Sequence, residues 1–250
     1  MVEFKIKTRE LAFLAVFSAV SGIIAEFVPG IPVIGVSGAR IKFDAAIAPL
    51  WGMILGPNLG FLSGLIGGLI ASNVKPLSVL TSFCTAISAF VAGALTQEYY
   101  KIGNFKVKGW ILGLLVEGIL ILGWYATSVG RGAPYYPILQ FVGFLIPLMF
   151  RGTISKLYNK GGKTILLSIV LASYAGIVAD HMLGNLIFIS MFPDLLTPQI
   201  FMMVLPISIV ERALLTIIAS IVGFTLILSL YRTGLYPKRG QTIESASTQH

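Results

Sequence analysis

Apolar residues occur in eight long runs along this 250-residue chain, separated by short polar or glycine-rich segments. The runs lack the strict alternation of a half-buried strand, and most approach the ~20 residues that a helix needs to cross ~30 Å of hydrocarbon. Backbone groups in lipid must satisfy their own hydrogen bonds, which favours helices. The sequence therefore predicts an all-α, polytopic membrane bundle of about eight transmembrane helices. The runs are approximately 11–28, 41–55, 57–73, 77–100, 109–127, 134–150, 164–191 and 205–231.

The composition agrees with a membrane protein. The chain is 56% hydrophobic and 11% charged, with a mean hydropathy of +0.90, whereas a soluble domain of this size needs more polar surface. We expect a single transmembrane domain over residues 1–239, followed by a polar tail, 240–250, that is too poor in apolar residues to fold.

The distribution of basic residues predicts the orientation. Residues 41–73 contain either one span or two, and Gly56-Pro57-Asn58 interrupts them with residues typical of a turn. With two spans, thirteen lysines and arginines lie on the side of the N-terminus and four on the other side; one span reverses this bias. Cytoplasmic connections carry the excess of basic residues, so both termini are predicted to be cytoplasmic. The net charge of +8 is then a topology signal, and no nucleic-acid partner is expected.

Ionisable residues inside the apolar runs suggest a binding site. Such groups are costly in hydrocarbon and normally face the bundle interior or a wet cavity. In the predicted orientation most of them lie in the outer half of their helices, and Glu117 lies near the middle. His181 and Asn185 are four residues apart and share a helix face. The candidate binding residues are Glu26, Arg40, Lys42, Asp44, Asp180, His181, Asn185, Glu211 and Arg212.

Two questions stay open at this level. The polar residues form either a binding site or a structural ion pair, in which Arg212 meets Asp180 or Glu211 and holds the last two helices together. The connection 29–43, the longest on the outer side, is either a lid over a pocket or a plain linker.

Small residues form a second pattern. One face of the first helix carries Ala12, Ala15, Ala19 and Gly22, which allow close approach of a neighbouring helix. Internal packing and contact with an external partner both fit this face. Glycines 60, 64, 67 and 68 are predicted to pack internally. The pairs Trp124-Tyr125 and Tyr135-Tyr136 are interpreted as anchors at the membrane interface.

Motifs for catalysis are missing from the sequence. It contains no phosphate-binding loop, no zinc-binding His-Glu-x-x-His and no Gly-x-Ser-x-Gly nucleophile elbow. Cys84 is the single cysteine and there are two histidines, so no metal site is expected. We predict a protein that is not an enzyme and has no cofactor.

Several segments together resemble a known family. They are Ala15-Val-Phe-Ser-Ala19, Asp44-Ala-Ala-Ile-Ala-Pro49, Gly56-Pro57-Asn58-Leu-Gly60 with Gly64, and Pro206-Ile-Ser-Ile-Val-Glu211-Arg212. This order is similar to that of the substrate-binding S components of energy-coupling factor (ECF) transporters, which import vitamins and related micronutrients. The likeness is clearest over residues 8–75 and 165–231.

The resemblance implies a fold, partners and roles. The family has six helices, so an added helical pair is expected at about 109–155. Ala15 and Ala19 match the motif through which S components dock on a transmembrane coupling subunit, and Ala12 and Gly22 extend that face. The loop before Asp44 would cover the pocket. Two cytoplasmic ATPases would complete the importer in the cell membrane, with a small molecule as ligand.

Two other classes of function compete with this one. An autonomous ion- or proton-coupled transporter would relay protons through Glu117, Asp180 and His181, without ATPase partners. An intramembrane enzyme would use Asp180, His181 and Glu211 as acid and base groups, although the sequence offers no nucleophile motif for it.

Overall fold

The computed structural model describes residues 7–28, 30–32, 40–41, 43–72, 76–102 and 105–236. Helices dominate this part of the chain. They are α1 Thr8–Phe27, α2 Asp44–Leu55, α3 Pro57–Ile70, α4 Pro76–Thr96, α5 Gly109–Ala126, α6 Ser128–Gly132, α7 Ile138–Phe150, α8 Thr153–Lys160, α9 Ile165–Met191 and α10 Pro198–Arg232. The strands are β1 Ile31–Pro32, β2 Arg40–Ile41, β3 Tyr99–Ile102 and β4 Phe105–Lys108. Lys42 and the tail 240–250 lie outside the described residues.

The eight predicted runs each contain a helix, and several of the helix ends differ from the predicted ends by a few residues. The fourth run was predicted to reach residue 100, but α4 ends at Thr96 and an antiparallel β3–β4 hairpin follows. The last helix begins at Pro198, before the predicted 205, because Thr197 accepts a hydrogen bond from the Ile200 amide and Pro198 suits the first turn.

Helices α2 and α3 fold back on each other at Gly56. This glycine has a φ of 80°, which side-chain-bearing residues rarely adopt. Beyond the turn the two helices touch through glycines: a Cβ on Gly60 would lie 2.4 Å from the Gly52 Cα. Helix α4 packs against this pair and against α9, and so occupies the centre of the bundle. The prediction that the glycines of α3 pack internally is confirmed, since Gly64, Gly67 and Gly68 meet α4 or α1 at similarly short distances.

The described helices account for several membrane crossings. Five are long and apolar enough to span a membrane, and the α7–α8 pair, bent by 75°, makes up to six. Helices α2 and α3, with 12 and 14 residues, are about 18 and 21 Å long at the helical rise, which is shorter than a full crossing. The protein is thus a polytopic helical bundle, and the count of eight spans stays a prediction.

Hydrogen bonds gather several connections at one end of the bundle. Arg9 donates to the Gly234 carbonyl at 2.7 Å, which brings α1 and the end of α10 together. The Tyr158 and Tyr236 hydroxyls both donate to the Met53 carbonyl, at 3.1 and 3.0 Å. We call this the basic end. Its lysines and arginines are Lys7, Arg9, Lys101, Lys106, Lys108, Arg151, Lys156, Lys160, Lys163 and Arg232.

Candidate functional site

Polar side chains of α9 lie in the half of the bundle away from the basic end. The helix starts near that end at Ile165, and Asp180, His181 and Asn185 come more than four turns later. Asp180 is buried, while His181 and Asn185 are half-buried. The helical register places His181 and Asn185 on the side that faces the segment before α7.

A hydrogen-bonded network joins α9 to the start of α7. The Tyr136 hydroxyl lies 3.1 Å from His181 Nε2 and accepts a hydrogen bond from Asn185 Nδ2 at 3.2 Å. Gln140 Nε2 lies 3.2 Å from His181 Nδ1. Pro137 is the N-cap of α7, so Tyr136 lies just before the helix and Gln140 in its first turn, four residues further on. Both therefore reach His181 from the same side. Both ring nitrogens of His181 therefore lie within hydrogen-bond distance of a side chain from this segment.

Helix α10 adds an ion pair to this network. Arg212 Nη2 donates to Glu211 Oε1 at 2.9 Å, and both side chains are buried. Ser208, one turn before Arg212 on α10, and the ion pair itself lie within interaction range of Tyr136. Trp124 stacks on the Tyr136 ring with centroids 4.9 Å apart. The network therefore connects α7, α9 and α10, and the Tyr136 ring at its centre packs against Trp124.

Helices α2 and α4 complete the arrangement. Cys84 of α4 lies within interaction range of Asp180, and Asp44, buried in the first turn of α2, interacts electrostatically with both. Asp180 is also within range of Arg212. We call the whole set the polar cluster: Asp44, Cys84, Tyr136, Gln140, Asp180, His181, Asn185, Ser208, Glu211 and Arg212.

Two buried atoms of the polar cluster have no hydrogen-bond partner among the described residues. They are the donor Arg212 Nε and the acceptor Gln140 Oε1. An unpaired buried polar group costs about 1–3 kcal/mol, so a bound molecule that pairs with either atom gains affinity. The cluster thus offers carboxylates, a guanidinium, an imidazole, amides and hydroxyls for the polar edges of a small ligand.

The other candidate residues are placed differently. Glu26 is exposed near the end of α1. Arg40 lies in β2, which pairs with β1 so that Arg40 stands opposite Pro32. Glu117 is fully buried between α5 and α7, and neither of its carboxylate oxygens has a hydrogen-bond partner in the described part of the chain. The structure therefore brings together the candidates Asp44, Asp180, His181, Asn185, Glu211 and Arg212.

The small-residue face of α1 divides into two parts. Ala12, Ala15 and Ala19 are exposed, whereas Gly22 is buried against α3. A Cβ on Gly22 would lie 2.9 Å from the Ile70 side chain, so its smallness serves a contact inside the bundle. The three alanines remain accessible to a partner.

Sequence reasoning missed four members of the polar cluster, among them Tyr136, which it misread together with Trp124. Trp124 and Tyr136 are buried in the bundle, so their interpretation as interface anchors is wrong. Gln140 inside an apolar run was a usable signal, because it follows Tyr136 by one turn. Cys84 and Ser208 carried no comparable signal, since small polar residues are common in membrane helices.

The fold and the cluster define a multi-pass membrane protein with a buried polar site. Comparison with known families gives a match to the model of the ECF-type riboflavin transporter, S component, over residues 5–130, half of the chain. The chain belongs to this family of transporter S components. It is also 28% identical, over 221 residues, to the uncharacterized protein MJ0923 of Methanocaldococcus jannaschii, covering 86% of this chain and 70% of that protein. No solved structure matches.

Proposed function

We propose that this chain is the substrate-capture subunit of an ECF-type ABC importer for a vitamin or a related micronutrient, and that the polar cluster holds the ligand. The observation that carries this proposal is the convergence of polar side chains from α2, α4, α7, α9 and α10, with an unpaired donor and an unpaired acceptor in their midst. Structural ion pairing alone would need only Glu211 and Arg212. It gives no reason for the Tyr136, Gln140 and Asn185 network beside them.

The proposed orientation places the basic end in the cytoplasm, with both termini, and the polar cluster towards the outside. Eight helices then lie in the membrane, two of them the short antiparallel pair α2–α3. The single domain over 1–239 and an added helical pair at about 109–155 belong to this proposal. The family match runs through α5, the first helix of that pair.

The β1–β2 pairing supports a lid function for the segment 29–43. Ile31 stands opposite Ile41 and Pro32 opposite Arg40, so the two ends of this outer connection are held side by side directly before Asp44. In this proposal the connection covers the polar cluster, and Arg40 and Lys42 supply positive charge to an anionic edge of the ligand. Glu26, at the adjacent end of α1, lines the same entrance.

Coupling to energy is proposed through partners, because the sequence contains no phosphate-binding loop. A transmembrane coupling subunit would dock on the exposed alanines of α1, and two cytoplasmic ATPases would drive transport. The three alanines suit close helix approach, which needs small side chains in lipid.

Riboflavin is the first ligand to test, because the matching family is described by that vitamin. Titration of the purified protein into riboflavin, with flavin fluorescence as readout, should give saturable quenching. Asn185→Ala should weaken it at least tenfold, since Asn185 donates within the cluster. Asn159→Ala, exposed on α8 at the basic end, is the matched control and should bind as the wild type. Equal affinity of both variants would contradict the placement of the ligand, and a flat titration would remove riboflavin as the ligand.

A further inference from the structure

The β3–β4 hairpin presents a lysine-rich face at the basic end. Its antiparallel register pairs Lys101 with Lys106, and Tyr99 with Lys108. Directly opposed residues share a face, and side chains alternate along each strand. Lys101, Lys106 and Lys108 therefore lie on one face, and all three are exposed. Residues 99–108 include no acidic residue; Glu98 immediately precedes them.

The opposite face of the hairpin is fixed to the bundle. The Tyr100 hydroxyl donates a hydrogen bond to Asn58 Oδ1 at the start of α3. The Tyr100 ring packs edge-on against Phe90 of α4, with centroids 6.3 Å apart. Phe105, on the same face, is 76% exposed. The hairpin thus stands in a defined position, with its lysines exposed.

An apolar groove begins where the hairpin is attached. It has a volume of about 600 Å³ and runs between α3, α4 and α5, lined by Leu59, Phe61, Leu62, Ile87, Phe90 and Val116. Asn58 and Phe90 belong both to the groove and to the attachment of Tyr100. The apolar groove therefore ends beside the attached face of the hairpin. The three lysines stand on the other face, and their long, flexible side chains can bend around the edge of this two-stranded hairpin towards a headgroup at the groove.

We propose that the groove and the lysine face together bind one anionic phospholipid, with an acyl chain in the groove and the phosphate group at the lysines. The proposal rests on the orientation given above, not on the identity of the transported ligand. The cytoplasmic leaflet carries anionic lipid, which basic residues at its surface attract. A slender acyl chain also suits the space better than a protein helix, because a helix about 10 Å across would fill 600 Å³ within about 8 Å of its length.

The test uses the full chain, purified in detergent and mixed with equal amounts of phosphatidylglycerol and phosphatidylcholine that carry the same acyl chains. Native mass spectrometry should show one retained phosphatidylglycerol, favoured about tenfold or more. The triple variant Lys101→Gln, Lys106→Gln, Lys108→Gln should lose this preference. The matched control is Lys156→Gln, Lys160→Gln, Lys163→Gln, which removes the same charge elsewhere at the basic end and should keep it. No preference in the wild type, or equal loss in both triple variants, would overturn the proposal.

A second pair of variants tests the groove. Ile87→Trp should fill it and reduce retention of both lipids, without a change in melting temperature. Ile66→Trp, on the exposed side of α3 and outside the groove, should have no effect. Unchanged lipid retention by Ile87→Trp, with loss of a co-purifying coupling subunit instead, would assign the groove to a protein partner and overturn the proposal. Ligand titrations on the same variants separate this result from the proposed transport function.

Discussion

Replacement of Tyr136 by phenylalanine removes a single oxygen from the centre of the polar cluster. That hydroxyl lies 3.1 Å from His181 Nε2 and accepts from Asn185 at 3.2 Å. Side-chain hydrogen bonds in membrane proteins contribute about 0.6 kcal/mol on average and up to ~1.7. Here two partners lose a bond at once, and an unpaired buried group costs about 1–3 kcal/mol. His181 and Asn185 are only half-buried, so each falls at or below the lower end of that range. We expect Tyr136→Phe to lower the free energy of unfolding by about 1–3 kcal/mol.

The neighbouring residue supplies the control. Tyr135 is 76% exposed while Tyr136 is 2% exposed, so Tyr135→Phe removes the same atom from the surface. Its effect should stay within about 0.5 kcal/mol. Unfolding of both variants in detergent, followed by intrinsic fluorescence against denaturant, measures the difference. Equal stability of the two variants would refute the view that Tyr136 organises the cluster.

Three further predictions concern packing, charge and docking. Gly52→Ala should lower the free energy of unfolding by about 3 kcal/mol or more, because the new Cβ would lie 1.7 Å from the Ala89 carbonyl oxygen. Its control, Gly152→Ala, places a Cβ with nothing within 4 Å and should leave the free energy of unfolding nearly unchanged in the same assay. Glu117→Gln should leave the melting temperature unchanged or raise it, since neither carboxylate oxygen has a partner among the described residues and an amide carries no charge; a clear drop would indicate a counter-ion. Ala15→Trp should abolish uptake of the ligand by cells but leave ligand binding unchanged. Leu214→Trp, exposed on α10, is the control and should leave both unchanged. Uptake that survives Ala15→Trp would exclude docking through the exposed alanines of α1.

The sequence predicts the helices well because their physical cause is local. A run of apolar residues must satisfy its backbone inside lipid, and only a helix does so within the segment itself. The fold-back at Gly56 was predictable for the same reason, since glycine followed by proline both ends one helix and starts the next. The β3–β4 hairpin was missed because Tyr99 and Tyr100 extend the apolar run and resemble the end of a helix.

The candidate site was predictable in part. Asp180, His181, Glu211 and Arg212 were identifiable because charged groups in an apolar run are costly, whatever they contact. The packing of α2, α4, α7, α9 and α10 decides which of these side chains meet. No local sequence pattern determines that packing. Tyr136 shows the limit: an aromatic residue beside a proline looks the same at a membrane surface and inside a bundle, and the packing of Trp124 against it decides between the two.

Native mass spectrometry of the gently purified wild-type protein tests the central claim most directly. We predict a bound small molecule, whose mass identifies it. Asp180→Asn, within the polar cluster, should lose this mass while keeping the wild-type melting temperature. Asp194→Asn, exposed after α9, should retain it. Retention of the same molecule, to the same extent, in both variants would contradict capture by the polar cluster.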